Sequence, residues 1–187
     1  SYPYYQYSLS EYFLKNMLPS NGYDIDLKIA YELNDFLDGF GVNEDYGTFG
    51  SILKGHNTFR FLLNINKNWD ISPLTLSSNT SFGFLSNQEV DDFFYFFGGG
   101  MPGIRGYTYY DEDLKGTRKL IQTFYLRHFL FKEYNFKLLT SYLQHMSIGL
   151  IVQLGDAYND EDFQNKISSG LEIRLFGYNF YSYPLAI

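Results

Sequence analysis

The side chains that could carry chemistry are three histidines, two runs of acids and scattered serines. His56, His128 and His145 lack any spacing typical of metal ligands, and the chain has no cysteine to supply a thiolate. The acid runs 111–113 and 160–162 can be imagined as a calcium site or a glycosidase pair, but solvated loops have the same composition. No serine lies in a nucleophile elbow. The sequence therefore predicts no catalytic residue, no metal site and no cofactor, and we expect that the protein is not an enzyme.

A glycine-rich stretch, 93–107, has the most unusual combination of residues. It reads Phe-Phe-Tyr-Phe-Phe-Gly-Gly-Gly-Met-Pro-Gly-Ile-Arg-Gly-Tyr, with Arg105 alone among apolar residues. Glycine-rich loops can hold a phosphate, but they do so before a helix and with a Lys-Ser or Lys-Thr pair, and neither follows here. An ordinary hairpin loop would use the glycines but gives no reason for the arginine. The net charge of −7 also argues against a nucleic-acid partner.

The composition limits the elements that can position these residues. Aromatic residues make up 21% of the 187 residues, whereas charged residues make up 19%. So many large rings exclude a disordered chain, and the lack of cysteine excludes a disulfide scaffold. No run of about 18 uncharged apolar residues is present, which disfavours a helical membrane protein. A chain that is rich in rings yet nowhere continuously apolar is typical of strands in which apolar and polar side chains alternate.

Alternation with period two predicts the strands. The clearest stretches are 24–34, 58–66, 147–158 and 166–175, and the weaker ones are 74–85 and 117–131. Turn signals separate them at 19–22, 38–47, 70–73 and 158–165. The segment 135–146 is ambiguous, and we interpret it as a connection that carries a short helical turn.

The length of the stretches and the position of the aromatic residues favour a membrane barrel. Eleven alternating residues are enough to cross a bilayer as a tilted strand and are about twice the length of a typical soluble strand. Tyrosine and phenylalanine crowd near the predicted strand ends, as at 2–7, 93–97, 107–110 and 178–183. Rings at these positions are typical of the aromatic girdles of a barrel. A large soluble antiparallel sheet with aromatic cross-strand pairs is the alternative.

The glycine-rich stretch and the residues after it resemble the bacterial outer-membrane surface-antigen superfamily, the BamA/TamA-type β-barrels. The loop signature of that family is matched by Gly98, Gly99 and the tetrad Ile104, Arg105, Gly106 and Tyr107. Gly116 with the strand that ends near Arg127, the segment 150–158 and the segment 170–174 are similar to the strands that follow it. The resemblance covers about the last hundred residues in order and spacing.

The resemblance implies an all-β fold, an antiparallel transmembrane β-barrel whose long Gly/Arg loop, 98–116, folds inward into the lumen. Barrels of this family have about sixteen strands, and we count seven or eight here. We therefore expect 1–187 to be a partial barrel domain, the C-terminal portion without its last strand. The N-terminal part of the same protein would be the missing partner, because a sheet in lipid must close on itself.

In the insertases of this family, acidic side chains on the inner barrel wall hold the loop arginine. The matching positions here are Tyr125 and Gln153, and neither is acidic. An arginine inside a barrel still needs partners, because burying an unpaired cation is costly. We therefore expect Arg105 to point into the lumen and to be satisfied by Tyr125, Gln153 and Glu172.

The function that the resemblance implies is insertion and assembly, or translocation, of proteins at the bacterial outer membrane. The expected partners are outer-membrane lipid and client outer-membrane or secreted proteins. One alternative is a barrel that serves as an anchor or small-solute pore and is fused to a periplasmic, propeller-like binding domain. Another is a soluble periplasmic or surface sheet protein with an interaction role.

Overall fold

The computed structural model describes residues 4–8, 12–13, 18–19, 21–43, 47–55, 57–131, 136–138, 141–159, 163–179 and 184–186. Within these ranges the fold is all-β, and every pair of strands that forms a ladder is antiparallel. This confirms the all-β, antiparallel part of the predicted fold class. His56 and the acid run 160–162 lie outside the described residues.

Fifteen strands are numbered in chain order. They are β1 Tyr4–Ser8, β2 Tyr12–Phe13, β3 Leu18–Pro19, β4 Gly22–Glu32, β5 Asp35–Asn43, β6 Thr48–Gly55, β7 Thr58–Ile71, β8 Leu74–Leu85, β9 Phe96–Phe97, β10 Lys115–Gly116, β11 Arg118–Phe131, β12 Phe136–Leu138, β13 Ser141–Tyr158, β14 Lys166–Asn179 and β15 Pro184–Ala186. Two single-turn 3-10 helices, Asp92–Phe94 and Glu112–Leu114, lie between β8 and β11.

One large sheet contains most of the strands. Its order is β1-β4-β7-β8-β11-β13-β14-β15, with β12 paired to β13, so neighbours in the sheet follow one another along the chain. The hairpin of β5 and β6 and the pairs β2-β3 and β9-β10 are separate small sheets. The large sheet is open: among the described residues no ladder joins β1 to β15 and closes a barrel.

Alternating side chains give the sheet an apolar face and a polar face. On β11, Leu120, Phe124 and Leu126 are exposed, whereas Ile121 and Thr123 between them are buried. Cross-strand pairing extends each face over the neighbouring strands, because directly opposed residues lie on the same side of a sheet. One apolar row crosses five strands through Trp69, Leu76, Leu126, Leu150 and Leu171.

The polar face has a corresponding row that crosses six strands. It runs through Asp24, Asn66, Asn79, Thr123, Gln153 and Ser168, each paired with the next. All six side chains are polar, so the face opposite the apolar row is suited to water or to a polar segment of the chain. The connection from β8 to β11, residues 86–117, provides such a segment, and it packs on this face near the strand ends from which it starts.

Two predictions about connections are wrong. The segment 38–47 was expected to be a turn, but most of it forms the hairpin of β5 and β6, in which Phe40 stacks on Phe49 at a ring-centroid distance of 5.8 Å. The segment 135–146 was expected to carry a helical turn, but its described residues form β12 and the start of β13. In both cases a strand continues past a turn signal because its backbone finds a ladder partner.

The described residues contain no helix long and apolar enough to cross a membrane.

Candidate functional site

The site that the sequence singles out is the connection from β8 to β11, which we call the arginine loop, residues 86–117. Its two ends are joined by the β9-β10 ladder, and Gly98 continues this pairing by donating its N–H to Leu114 O at 2.7 Å. The carbonyl of Gly98 accepts the N–H of Ile104 at 2.7 Å, and Gly100 donates to Tyr107 O at 3.0 Å. The loop is therefore folded on itself by backbone hydrogen bonds before it contacts the sheet.

Two glycines of the predicted motif are required by this backbone. A side chain at Gly99 would place its Cβ 2.0 Å from the carbonyl oxygen of Thr108, a distance that no Cβ can adopt. Gly106 has a φ of +94°, which non-glycine residues rarely adopt. The glycines therefore permit a tight fold that carries Ile104 and Arg105 on one turn.

Ile104 is the apolar anchor of the loop. It is completely buried and packs with Leu114 of the same loop and with Ile121 of β11, and Tyr107 covers this cluster. Because Ile121 lies on the inward side of β11, the contact places the loop on the polar face of the sheet rather than on the apolar one. Burying a side chain of this size contributes about 1.5–3 kcal/mol.

Gln153 is the polar anchor. Its Nε2 donates to the carbonyl of Gly103 at 2.7 Å and to Thr123 Oγ1 at 3.2 Å, and its Oε1 accepts the backbone N–H of Arg105 at 2.9 Å. One buried amide therefore binds the loop backbone on both sides of Ile104. A carboxylate could accept only the N–H, so a glutamine at this position suits a loop that presents both a donor and an acceptor.

Arg105 itself is held by a ring. Its guanidinium carbon lies 6.0 Å from the centroid of Tyr125, and within the part of the chain that the structure describes its Nε has no hydrogen-bond partner. Of the three predicted partners, the structure brings Tyr125 to the guanidinium and Gln153 to the backbone. Glu172 is on the same face, but its carboxylate binds two other arginines.

Glu172 is the centre of an ion-pair cluster that the sequence alone did not reveal. Its Oε1 accepts from Arg127 Nε at 2.7 Å and lies 2.8 Å from Arg174 Nε, and its Oε2 accepts from Arg174 Nη2 at 2.9 Å. Gly149 lies between Arg127 and Glu172 in the register, and a Cβ there would be 3.1 Å from Arg127 Cγ. Because Gly149 has no side chain, Arg127 can cross β13 and reach Glu172.

Tyr125 links this cluster to the loop. The guanidinium carbon of Arg127 lies 4.4 Å from the same ring centroid, closer than that of Arg105. A guanidinium near the face of a ring is stabilised by about 0.5–2 kcal/mol. The Tyr125 ring therefore contacts two cations without neutralising either.

Arg60 holds the start of the arginine loop. Arg60 donates from Nη2 to the carbonyl of Phe94 at 2.9 Å and from Nε to Glu32 at 2.8 Å. Its guanidinium carbon also lies 5.2 Å from the ring centroid of Phe96. The ring of Phe96 lies in the space left by Gly83, where a Cβ would be 3.0 Å from it. Gly83 marks this docking position, although it appears in the sequence only as a glycine in a predicted strand.

The far end of the loop is held by lysines. Lys115 Nζ lies 2.6 Å from Asp92 Oδ2 and 2.6 Å from Glu112 Oε2, and Lys166 Nζ donates to the carbonyl of Asp113. Hydrogen bonds to the two carboxylates raise the pKa of the Lys115 ammonium above its ordinary value, so this cation is charged at neutral pH. These contacts are exposed, and pairs of this kind contribute little to stability.

The contacts of the arginine loop are those of a docked segment. Within the described ranges, no three histidine, aspartate or glutamate side chains are close enough to hold a metal ion. His128 is on the apolar face in the row of Leu74 and Ile148, and His145 is buried on β13. The geometry therefore describes a loop that is docked on a polar wall by one apolar side chain, Ile104, one amide, Gln153, and one arginine, Arg60.

Comparison of the chain with protein-family models, with curated proteins and with solved structures found no match.

Proposed function

We propose that the chain is a portion of a bacterial outer-membrane β-barrel that acts in the insertion and assembly, or the translocation, of other proteins. The observation that carries this proposal is the two-faced sheet, whose apolar face is exposed and whose polar face carries the arginine loop. Leu171 is 88% exposed, and Ile167 and Ile173 are each 63% exposed. A water-soluble monomer rarely leaves a continuous apolar surface of more than a few hundred Å² uncovered. Lipid is the proposed cover.

Strand length and aromatic position support this orientation. On the apolar side of β4, Tyr23 and Tyr31 flank Ile25, Leu27 and Ile29. The two tyrosines are eight residues apart, or about 27 Å along the strand, close to the roughly 25 Å height of a barrel's apolar band. Rings at both limits of such a band are suited to the two interfaces of a bilayer.

A basic residue accompanies the aromatic residues at one of these limits. Lys67 Nζ lies 3.4 Å from the ring centroid of Tyr23 and 5.6 Å from that of Trp69. A lysine among rings can lay its apolar stem along the surface and keep its ammonium in the polar zone. Lys67 therefore belongs at the headgroup level in the proposed orientation.

The edge of the sheet supports a role in which another strand is accepted. Strand β14 pairs with β15 only at Phe176–Tyr178, and among the described residues no strand pairs with 166–175 on that side. Unpaired backbone cannot face lipid, because lipid offers it no hydrogen bond. We therefore assign this edge to a further strand, either from the same protein or from a client that adds by β-augmentation.

The test is client folding. The full-length protein would be reconstituted in vesicles, an unfolded eight-stranded barrel would be added, and the folded client would be followed by its heat-modifiable migration on gels. We expect the client to fold at least about tenfold faster than with vesicles that carry an unrelated barrel of similar size, which is a barrier reduction of about 1.4 kcal/mol. Equal rates with a correctly inserted protein would contradict the insertion role.

Equal rates would favour the second candidate, a barrel anchor or small-solute pore attached to a periplasmic binding domain. The observation that favours it is the open part of the polar face beside Arg127 and Arg174, which the arginine loop leaves uncovered. Passage of a small sugar from the same vesicles would then be expected.

A further inference from the structure

The uncovered half of the polar face contains a cavity of about 250 Å³. Its lining is polar almost throughout and includes Asp24, Asn66, Asn79, Tyr125, Arg127 and Arg174. The cavity lies toward the strand ends away from the arginine loop, so the loop does not fill it. A concave surface with several convergent polar side chains is a typical binding site for a small molecule.

The positive charge of the cavity is concentrated on one wall. Arg127 and Arg174 share the single carboxylate of Glu172, and Asp24 lies on the opposite wall. On the arginine wall two guanidiniums therefore share one carboxylate. Arginine forms its strongest hydrogen bonds with carboxylate and phosphate groups, so the arginine side of the cavity favours an anion.

The opposite wall is suited to hydroxyl groups. Asn79 donates from Nδ2 to Asn66 Oδ1, which orders the two amides side by side and leaves one donor group and one acceptor group of the pair for a ligand. Asp24 lies on the same wall, and its carboxylate can accept from an O–H. Amide and carboxylate side chains in a row match the alternating hydroxyls of a polyol.

We propose that this cavity binds a small water-soluble hydroxylated acid. Its carboxylate or phosphate group lies against Arg127 and Arg174, and its hydroxyls lie against Asn66 and Asn79. The anion belongs to a soluble molecule rather than to a lipid headgroup, because the cavity opens on the polar face, opposite the apolar row. The inference goes beyond the proposed function, since it requires only that this face meets water.

The test is calorimetric titration of the full-length protein in detergent with glucuronate, glucose and inorganic phosphate. We expect saturable binding of glucuronate, competition by phosphate, and binding of neutral glucose that is weaker by about tenfold or more, since a charge-assisted hydrogen bond is lost. Arg174→Gln is expected to lower the affinity for both glucuronate and phosphate by about tenfold, because a charge-assisted hydrogen bond is lost. The variant should still fold, since Arg174 is partly exposed and Arg127 keeps its pair with Glu172.

A second variant separates a built site from attraction of any anion. Asn66→Ala is expected to weaken glucuronate by about fivefold, the loss of one neutral hydrogen bond, and to leave phosphate unchanged. Lys54→Gln, on the exposed hairpin strand β6, removes the same charge as Arg174→Gln. It is expected to leave the affinities for glucuronate and phosphate unchanged. The proposal is overturned if glucuronate does not saturate, if glucose binds as tightly, or if Arg174→Gln and Lys54→Gln behave alike.

Discussion

Replacing Leu171 with arginine is expected to remove the protein from the membrane, whereas the same replacement at the neighbouring Gly170 is expected to be tolerated. Leu171 is in the apolar row, where lipid is the proposed neighbour. An arginine on the lipid face costs about 2–4 kcal/mol at the bilayer midplane. Gly170 is on the opposite face, and a Cβ there meets no atom within 4 Å. The measurement is flotation of the full-length protein with vesicles, together with its heat-modifiable migration.

The pair is matched because the two positions share a strand, a depth and a substituent. If the apolar face were in contact with water, Leu171→Arg would be the harmless change. The side chain of Leu171 is already the most exposed of the large apolar side chains in the described ranges. Equal flotation of the two variants would therefore contradict the assignment of the faces. Loss of both would show only that β14 does not accept arginine, and Leu171→Gln with Gly170→Gln would then replace the pair.

The second large effect is expected at Glu172. Glu172→Gln leaves Arg127, whose side chain is only 6% exposed, without its carboxylate, and weakens the hold on Arg174. Removing one partner of a buried ion pair costs about 3–5 kcal/mol, and the partial exposure of Arg174 reduces this to about 2–3 kcal/mol. We expect the urea midpoint of the full-length protein in detergent to fall by about 1 M or more.

The control for this change is Glu89→Gln, which removes the same charge from an exposed residue of the arginine loop. Its midpoint should stay close to that of the unaltered protein, because exposed charges contribute little. The double variant Arg127→Met with Glu172→Gln should be less unstable than the two single changes added together, since the residues are in contact. Additive effects would mean that the carboxylate does not join β11 to β14.

The strands of the main sheet could be predicted because one periodic signal determines them. The alternation at 24–34 corresponds to β4, Gly22–Glu32, and the weaker one at 74–85 to β8, Leu74–Leu85. The hairpin of β5 and β6 could not, because Gly39, Gly41 and Gly50 interrupt the alternation and imitate a turn. Their role becomes visible only when the partner strand is known.

The loop and two of its partners could be predicted, but the ion-pair cluster around Glu172 could not. Gln153 and Tyr125 follow from counting along strands that the resemblance orders, and both contact the loop residue Arg105 in the structure. The partner of Glu172 depends on the register of three strands and on Gly149 being the residue that Arg127 crosses. Register depends on contacts between residues that are far apart in the sequence. The spacing of the residues therefore placed Glu172 on the correct face but did not show that Arg127 and Arg174, rather than Arg105, bind its carboxylate.

Spin labels on single cysteines measure directly whether the large sheet separates lipid from water, as we propose, and residues 1–187 contain no other cysteine. Labels would be placed at Ile167, Gly170, Leu171 and Ile173 of the full-length protein in vesicles. We expect frequent collision with oxygen at 167, 171 and 173, and frequent collision with a water-soluble nickel chelate at 170. High nickel accessibility at all four positions would show that the apolar face meets water and would overturn the proposed orientation.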